Sequence, residues 1–226
     1  MNIQWEYLFD IQLAIESLPY VLQGVWYTLF ISFISMVFGL IMSLFLALAR
    51  TSKRFYFRWP ARLYISFMRG VPILIILFML YFGFPYIGIE FSPVTAAVIG
   101  FSFNCAAYMA EINRSAIAAI SRGQWESARS LGLTYPLTMR RIILPQAFRI
   151  ALPPLTNVGL DLIKASSLAA MITVPEIFQM ARTVAGRELD YMTMFILVAL
   201  IYWGICSAMT VLQNYLEHRY KKYGET

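Results

Sequence analysis

Long apolar runs, separated by short polar or basic stretches, dominate this chain. From about Tyr20 to Ala49 the residues are almost uninterruptedly apolar, well beyond the roughly 20 needed for a helix to cross a bilayer, so the run predicts a tilted first span, 20–49. Four more runs follow at about 66–84, 92–110, 150–174 and 192–216. The second is entered through Arg69-Gly-Val-Pro72, where a proline near a helix start removes few backbone donors. The third carries Ala96, Ala97, Gly100, Ala106 and Ala107, a small face that permits close helix packing. Pro85 to Pro93, with Gly88, predicts a tight turn, and Pro175 to Asp190 is long and polar enough to hold a short helix. Residues 1–17 mix aromatic and aliphatic positions with acids, which predicts a helix lying at an interface. With no internal repeat or low-complexity tract, the pattern predicts an all-α membrane protein of five transmembrane helices, one domain over 1–226.

The longest polar interruption, 111–149, has a helical period of its own. Ser121 with Gln124 three residues on resembles a capping box, and Trp125, Ala128 and Leu131 recur at helical spacing. Gly132 can take the left-handed turn that ends a helix, so a short amphipathic helix is predicted across the chain's path. A new start follows, with Thr134 as cap and Pro136 in the first turn, and its helix carries Met139, Ile142 and Ile143 toward Pro145. Glu111 and Arg114, one turn apart where the third run ends, predict an ion pair of modest value.

The fourth run is unlike the others. Pro153, Pro154, Thr156, Asn157, Asp161, Lys164, Ser166 and Ser167 interrupt it. A charge at the centre of a spanning helix costs about 2.5–3.5 kcal/mol, so these groups should face a bundle interior or a wet path. Asn157, Asp161 and Lys164, spaced four then three, stack on one helical face. One reading makes this stripe, with Ser166 and Ser167, the lining of a translocation route that offers an amide, an acid and a base to a zwitterionic solute. The other makes Asp161 and Lys164 a structural pair that neutralises itself. The two are compatible, because a route lined by an isolated charge would trap its cargo.

Composition agrees with a bilayer protein: of 226 residues, 60% are hydrophobic and 13% charged, against an apolar share nearer 45–50% in soluble domains. The formal charge of +6 changes the picture through its distribution. Arg50, Lys53, Arg54, Arg58, Arg62 and Arg69 follow the first run, Arg114, Arg122, Arg129, Arg140, Arg141 and Arg149 follow the third, and Arg219, Lys221 and Lys222 follow the fifth. The alternate segments hold only Arg182 and Arg187, against seven acids. The positive-inside rule then places the amino terminus outside and the carboxyl terminus in the cytoplasm, and leaves no surplus to argue for nucleic acid. Met1 to Glu16 has acids and no Lys or Arg, the reverse of a basic secretory leader, so no cleavage is expected. Cys105 and Cys206 lie in apolar stretches without metal-ligand spacing and are read as small hydrophobes. His218, in the tail, is read as a solvated interfacial residue.

Enzyme chemistry finds little to use. There is no Gly-x-x-x-x-Gly-Lys-Ser/Thr phosphate loop, no His-Glu-x-x-His zinc pair and no Gly-x-Ser-x-Gly elbow, so no catalytic or metal-binding residue is assigned. The array Glu126-x-Ala128, three residues, Gly132, nine residues, Ile142-x-Leu144-Pro145 instead resembles the cytoplasmic loop signature of permease subunits in binding-protein-dependent ATP-binding-cassette importers. Ser127 replaces the family's usual middle alanine and is small enough to keep the contact. Met68-Arg-Gly-Val-Pro-Ile-Leu74 resembles a second signature, that of polar amino acid permeases.

The resemblance implies a type I importer permease fold in a bacterial cell membrane, coupling its motion to separate ATPase subunits that hold ATP and Mg, while this chain binds no cofactor. It implies a second permease copy or sibling and an extracellular solute-binding protein. It assigns ATPase coupling to Trp125, Glu126, Ser127, Ala128 and Gly132, with Glu126 as a polar contact, Trp125 or Ala128 as packing surface, and Gly132 turning the backbone away. Over its whole length the chain looks most similar to L-cystine permeases. A secondary transporter or channel for a small polar solute is the alternative, which the missing repeat disfavours.

Overall fold

A computed structural model describes residues 8–221, all helix and connection with no strand among them. The first residues of the expected interfacial helix therefore lie outside the described residues, as does Lys222; the side chains of His218, Arg219 and Lys221 are likewise outside the description. α1 (Ile11–Leu22) is capped by Asp10, whose carboxylate accepts from Leu13 N. It leads straight into α2 (Gly24–Thr51).

α2 shows how the bundle is held. Gly24, Thr28, Ser32, Ser35, Gly39, Ser43 and Ala47 recur every three or four residues and are all buried, whereas Trp26, Phe33, Phe38, Phe45 and Leu48 on the other face are exposed. Large side chains meet lipid and small ones meet protein, because lipid tails are as apolar as Leu and association relies on close packing. From Ser35 onward the partner is α5 (Pro93–Ala118). Cys105 Sγ sits where a Cβ on Gly39 would be and donates to Ser35 O at 3.4 Å. Ser35 Oγ donates to Val98 O at 3.3 Å and Asn113 Nδ2 to Ser43 Oγ at 3.0 Å. Each such bond contributes about 0.6 kcal/mol in a membrane bundle.

The second span departs from the expectation of one helix over 66–84. α3 (Phe55–Gly70) and α4 (Ile73–Phe78, continued to Ile87) meet at a corner of 103°. Pro72 forbids the helical register for the residue before it, and Val71 is extended at φ −99°, ψ 131°. Asn104 Nδ2 donates to Met68 O at 2.8 Å and so satisfies a carbonyl near the break. Ser66 to Gly70 thus belong to α3, whose Ala61 and Ile65 are buried and whose Tyr64 hydroxyl donates to Phe103 O at 2.8 Å.

The polar stretch 111–149 holds the two helices expected of it, and the second runs without a break into the fourth span. α5 continues to Ala118, α6 covers Arg122–Ser130, and α7 (Tyr135–Thr138) flows through one wide turn, Met139–Ile143, into α8 (Leu144–Ala165) and a tight final turn, Ser166–Ile172. Pro145 lacks the N–H that an α-helix would direct to Arg141 O, and the wide turn absorbs that loss. The fourth spanning helix therefore starts some fifteen residues before the expected Ile150, and Tyr135–Ile172 forms one rod of 38 residues. At 1.5 Å per residue the rod is about 57 Å long, nearly twice the apolar thickness of a bilayer. Its buried stripe, Ile143, Ala147, Ala151 and Leu155, runs on past the expected boundary against Met109 and Ala116 of α5, which is why the helix does not stop there.

α9 (Ile177–Glu188) fills the predicted polar segment, and α10 (Tyr191–Lys221) closes the bundle. Glu111 holds Arg114 at 3.2 Å as expected, but also Arg50 from the end of α2 at 2.7 Å. Gly24 sits hard against the entrance of α9: a Cβ there would stand 2.5 Å from Ile177 N. Gly24→Ala must push α2 and α9 apart and should lower stability by about 1–3 kcal/mol. Gly204→Ala, with open space around it, should change it little; thermal unfolding of the two variants in detergent checks the contrast.

Candidate functional site

Two regions carry the residues singled out in the sequence: α6 at one end of the bundle, and the middle of α8. α6 starts at Ser121, but its hydroxyl makes no capping bond. The expected capping box is absent because Gln124 Oε1 instead accepts from Gln146 Nε2 of α8 at 3.3 Å. The far end behaves as predicted: Gly132 is left-handed at φ +71°, its N–H donates to Arg129 O, and Leu133 N–H reaches back to Ala128 O.

The faces of α6 correct one assignment. Ala128 is wholly buried within this chain and offers no packing surface to a partner. Trp125 is half-buried and stacks on Tyr135 with centroids 6.0 Å apart, so its ring mainly fastens α6 to the start of the rod. What α6 presents outward is Glu126, Ser127, Arg129 and Ser130, followed by Leu131 at 76% exposure.

In α8 the predicted polar stripe divides. Asp161 Oδ1 and Lys164 Nζ pair at 2.8 Å, with side chains 73% and 59% exposed. Asn157 turns toward α10, where its Oδ1 accepts from Gln213 Nε2 at 3.2 Å. Ser167 Oγ donates to Lys164 O. Ser166 is buried, donates to Ile163 O, and lies 3.5 Å from the Tyr202 hydroxyl. Ser166 thus faces away from Asp161, because the tight turn at the end of α8 rotates it toward α10.

Asp161 lines a cavity of about 300 Å³ between α4, α5 and α8, together with Asn104, Tyr108, Phe101, Cys105 and Ile73. Of the five residues proposed for the route, Asp161 alone lines this cavity. Asn104 and Tyr108 were not singled out in the sequence, since a lone Asn and Tyr in an apolar run carry no period. The cavity offers a carboxylate, an amide and a phenol against apolar walls. A 480 Å³ groove bounded mainly by Trp26, Phe30, Phe33, Met36, Leu160 and Leu212, with Ser32, Thr156 and Gln213 at its wall, is largely apolar and gives a polar solute few partners.

Sequence reading also missed Glu176, in the turn between the rod and α9. Its side chain is fully buried. Its carboxylate caps α9, accepting from Phe178 N at 2.9 Å and Gln179 N at 2.7 Å, and accepts from the Tyr202 hydroxyl at 2.8 Å. Burial pushes its pKa up to about 7, although the three donors pull it down. The signal available was a Val-Pro-Glu start ahead of an amphipathic stretch, which marks a cap but not its burial.

A family model described as binding-protein-dependent transport system inner membrane component matches residues 36–222. The chain is 69% identical over 98% of its length, and 98% of the relative, to the probable amino-acid ABC transporter permease protein YckA of Bacillus subtilis (strain 168). It is 41% identical, over 91% of its length and 88% of the relative, to the L-cystine transport system permease protein TcyB of the same organism. Among solved structures, an amino acid ABC transporter crystallised with histidines superposes with a TM-score of 0.89 at 31% identity, covering 97% of this chain and all of that one. Inward-facing MetNI methionine ABC transporter structures share the fold at a TM-score of 0.73 and 19% identity, covering 90% of this chain and 97% of that chain in one crystal form.

The Glu176 cap has a pH signature. A carboxyl raised from 4.5 to about 7 holds a proton in the folded state that the unfolded chain has released between those values. Its contribution is full below about pH 4.5 and is lost as pH rises through about 7, a difference of about 3 kcal/mol. Glu176→Gln should flatten that part of the stability profile, measured by thermal unfolding from pH 5 to 8.

Proposed function

The chain belongs to the inner-membrane component family of binding-protein-dependent transport systems, as an amino-acid importer permease, and on that premise we propose that it forms the cargo route and transmits ATPase motion to it. The observation that carries this reading is the single rod Tyr135–Ile172, which begins at the α6 junction and bears Asp161 at the cavity. A displacement of α6 is passed to the rod through the Trp125–Tyr135 stack and the Gln124–Gln146 hydrogen bond. The rod then shifts Asp161 relative to Asn104 and Tyr108 on α5, the rigid-body class of transition.

ATP and Mg belong to the partner ATPase in this scheme, and α6 seats in that subunit through its outward face. Glu126 supplies the polar contact, Ser127 and Leu131 the packing surface, and Gly132 lets the backbone leave. The basic end of the bundle is the cytoplasmic one, with the amino terminus outside. A second permease, identical or sibling, completes the route, since Asp161 and Lys164 remain open on one face of this chain and a paired charge needs cover in a bilayer. An extracellular solute-binding protein delivers the cargo.

The cargo is a polar amino acid, with L-cystine favoured by the 41% identity to the cystine permease. A zwitterion suits the cavity: its ammonium meets Asp161, and Asn104 and Tyr108 offer hydrogen bonds to its carboxylate. Lys164 keeps Asp161 from holding the cargo too firmly, because a site used in transport must also release.

Glu126→Lys should leave the permease in the membrane but abolish co-purification with its ATPase; unchanged co-purification would remove α6 from the interface. Asp161→Ala should cut cargo-stimulated ATP hydrolysis about tenfold, equivalent to about 1.4 kcal/mol of lost interaction. Wild-type uptake kinetics in reconstituted vesicles would discard the cavity as the route.

A further inference from the structure

At the α6 end of the bundle a cavity of about 630 Å³ is bounded by the last turn of α2, one flank of α3 and Tyr108 of α5. Arg50, Arg62, Ser66 and Arg69 line it. The local reason is helical spacing: residues 62, 66 and 69 stand at i, i+4 and i+7 and share one flank of α3. On the adjoining flank Tyr56, Trp59, Leu63 and Phe67 are exposed, and Ala61 and Ile65 face the bundle. A helix with an aromatic face, a basic row and a buried third side lies at a membrane interface, with its cations at headgroup level.

The charge of this cavity is not balanced from within. Glu111 serves two guanidinium groups, Arg50 at 2.7 Å and Arg114 at 3.2 Å. Arg69 lies over the Tyr108 ring, 5.4 Å from its centroid, a contact that orients the guanidinium without neutralising it. Among the described residues no carboxylate comes within ion-pair distance of Arg62 or Arg69.

We propose that this cavity binds the phosphate of an anionic phospholipid of the cytoplasmic leaflet, gripped by Arg62 and Arg69 with Arg50 behind them. A planar guanidinium matches phosphate oxygens through two parallel N–H donors, and basic pockets between spanning helices on the cytoplasmic side suit such headgroups. The lipid would brace α3 against α2 and α5 beside the Pro72 corner. From the transport reading this inference takes only the orientation in the membrane. Tyr108 also borders the smaller cavity, so a cargo carboxylate is the competing occupant, and three guanidinium groups would hold such a cargo rather than pass it on.

The test uses the permease purified with its ATPase subunits, in discs of phosphatidylcholine mixed with phosphatidylglycerol. Native mass spectra should show phosphatidylglycerol retained in preference to phosphatidylcholine. Arg62→Gln/Arg69→Gln should lower that retention about tenfold, while the charge-matched Lys53→Gln/Arg54→Gln, outside the cavity, should keep it. Equal retention in both variants, or no preference between the lipids in the wild type, overturns the proposal. So does displacement of the lipid by inorganic phosphate, which would make the site a free-phosphate one, or by L-cystine, which would give the cavity to the cargo. Should the glutamine pair no longer co-purify with the ATPase, Arg62→Lys/Arg69→Lys, which keeps charge but loses the fork, is measured instead and must show weakened retention. None of these substitutions touches α6 or Asp161, so loss of lipid with uptake intact leaves the transport reading standing.

Discussion

The closeness of α2 and α5 is the constraint on which the remaining structure depends. In a bilayer no hydrophobic force draws two greasy helices together, so their backbones must approach near enough for contact and short hydrogen bonds to hold them. The buried row from Ser35 to Ser43 makes that approach, with Cys105 seated against Gly39 and Ser35, Ser43 and Asn113 bonding across. Because this seam consumes the small face of α2, its aromatic face is left to lipid. Because α5 is fixed on one side by α2, its other sides are free for α3, α4 and the rod, and the cavity at Asp161 opens between α4, α5 and the rod.

The rod gives the bundle its mechanical character. Proline at 145 would ordinarily end or bend a helix, yet the wide turn before it preserves continuity from Tyr135 to Ile172. In the proposed scheme a rod anchored at α6 by an aromatic stack and passing the polar cavity would carry displacement with little loss, since packed interiors are stiff. The neutral pairing of Asp161 with Lys164 lowers the cost of keeping both groups at membrane depth while leaving the carboxylate available at the cavity wall.

At the opposite end, Glu176 fastens α9, α10 and the turn after the rod into one unit. A buried carboxylate with two amide donors and a tyrosine hydroxyl is a fully engaged acceptor, and Gly24 lets α2 press directly on the same turn. The motion proposed for the rod is therefore bounded at both ends by specific contacts, the Trp125–Tyr135 stack and the Glu176 cap.

The order of apolar runs, the left-handed Gly132 and the signature spacing from Glu126 to Pro145 were legible in the residues alone, because each is a local property of a helix or a turn. The Asp161–Lys164 pair was legible for the same reason, being one helical turn apart. Other features answered to contacts between residues far apart in sequence. Gln146 draws Gln124 out of its capping box, the chain's own packing hides Ala128, Tyr202 and a tight turn take Ser166 away from the stripe, and Asn104 secures the corner that splits the second span. Hydrophobic period states which face of a helix is greasy; it does not state which neighbour will cover it, and that choice, made only when the helices packed, decided which polar side chains would share a cavity.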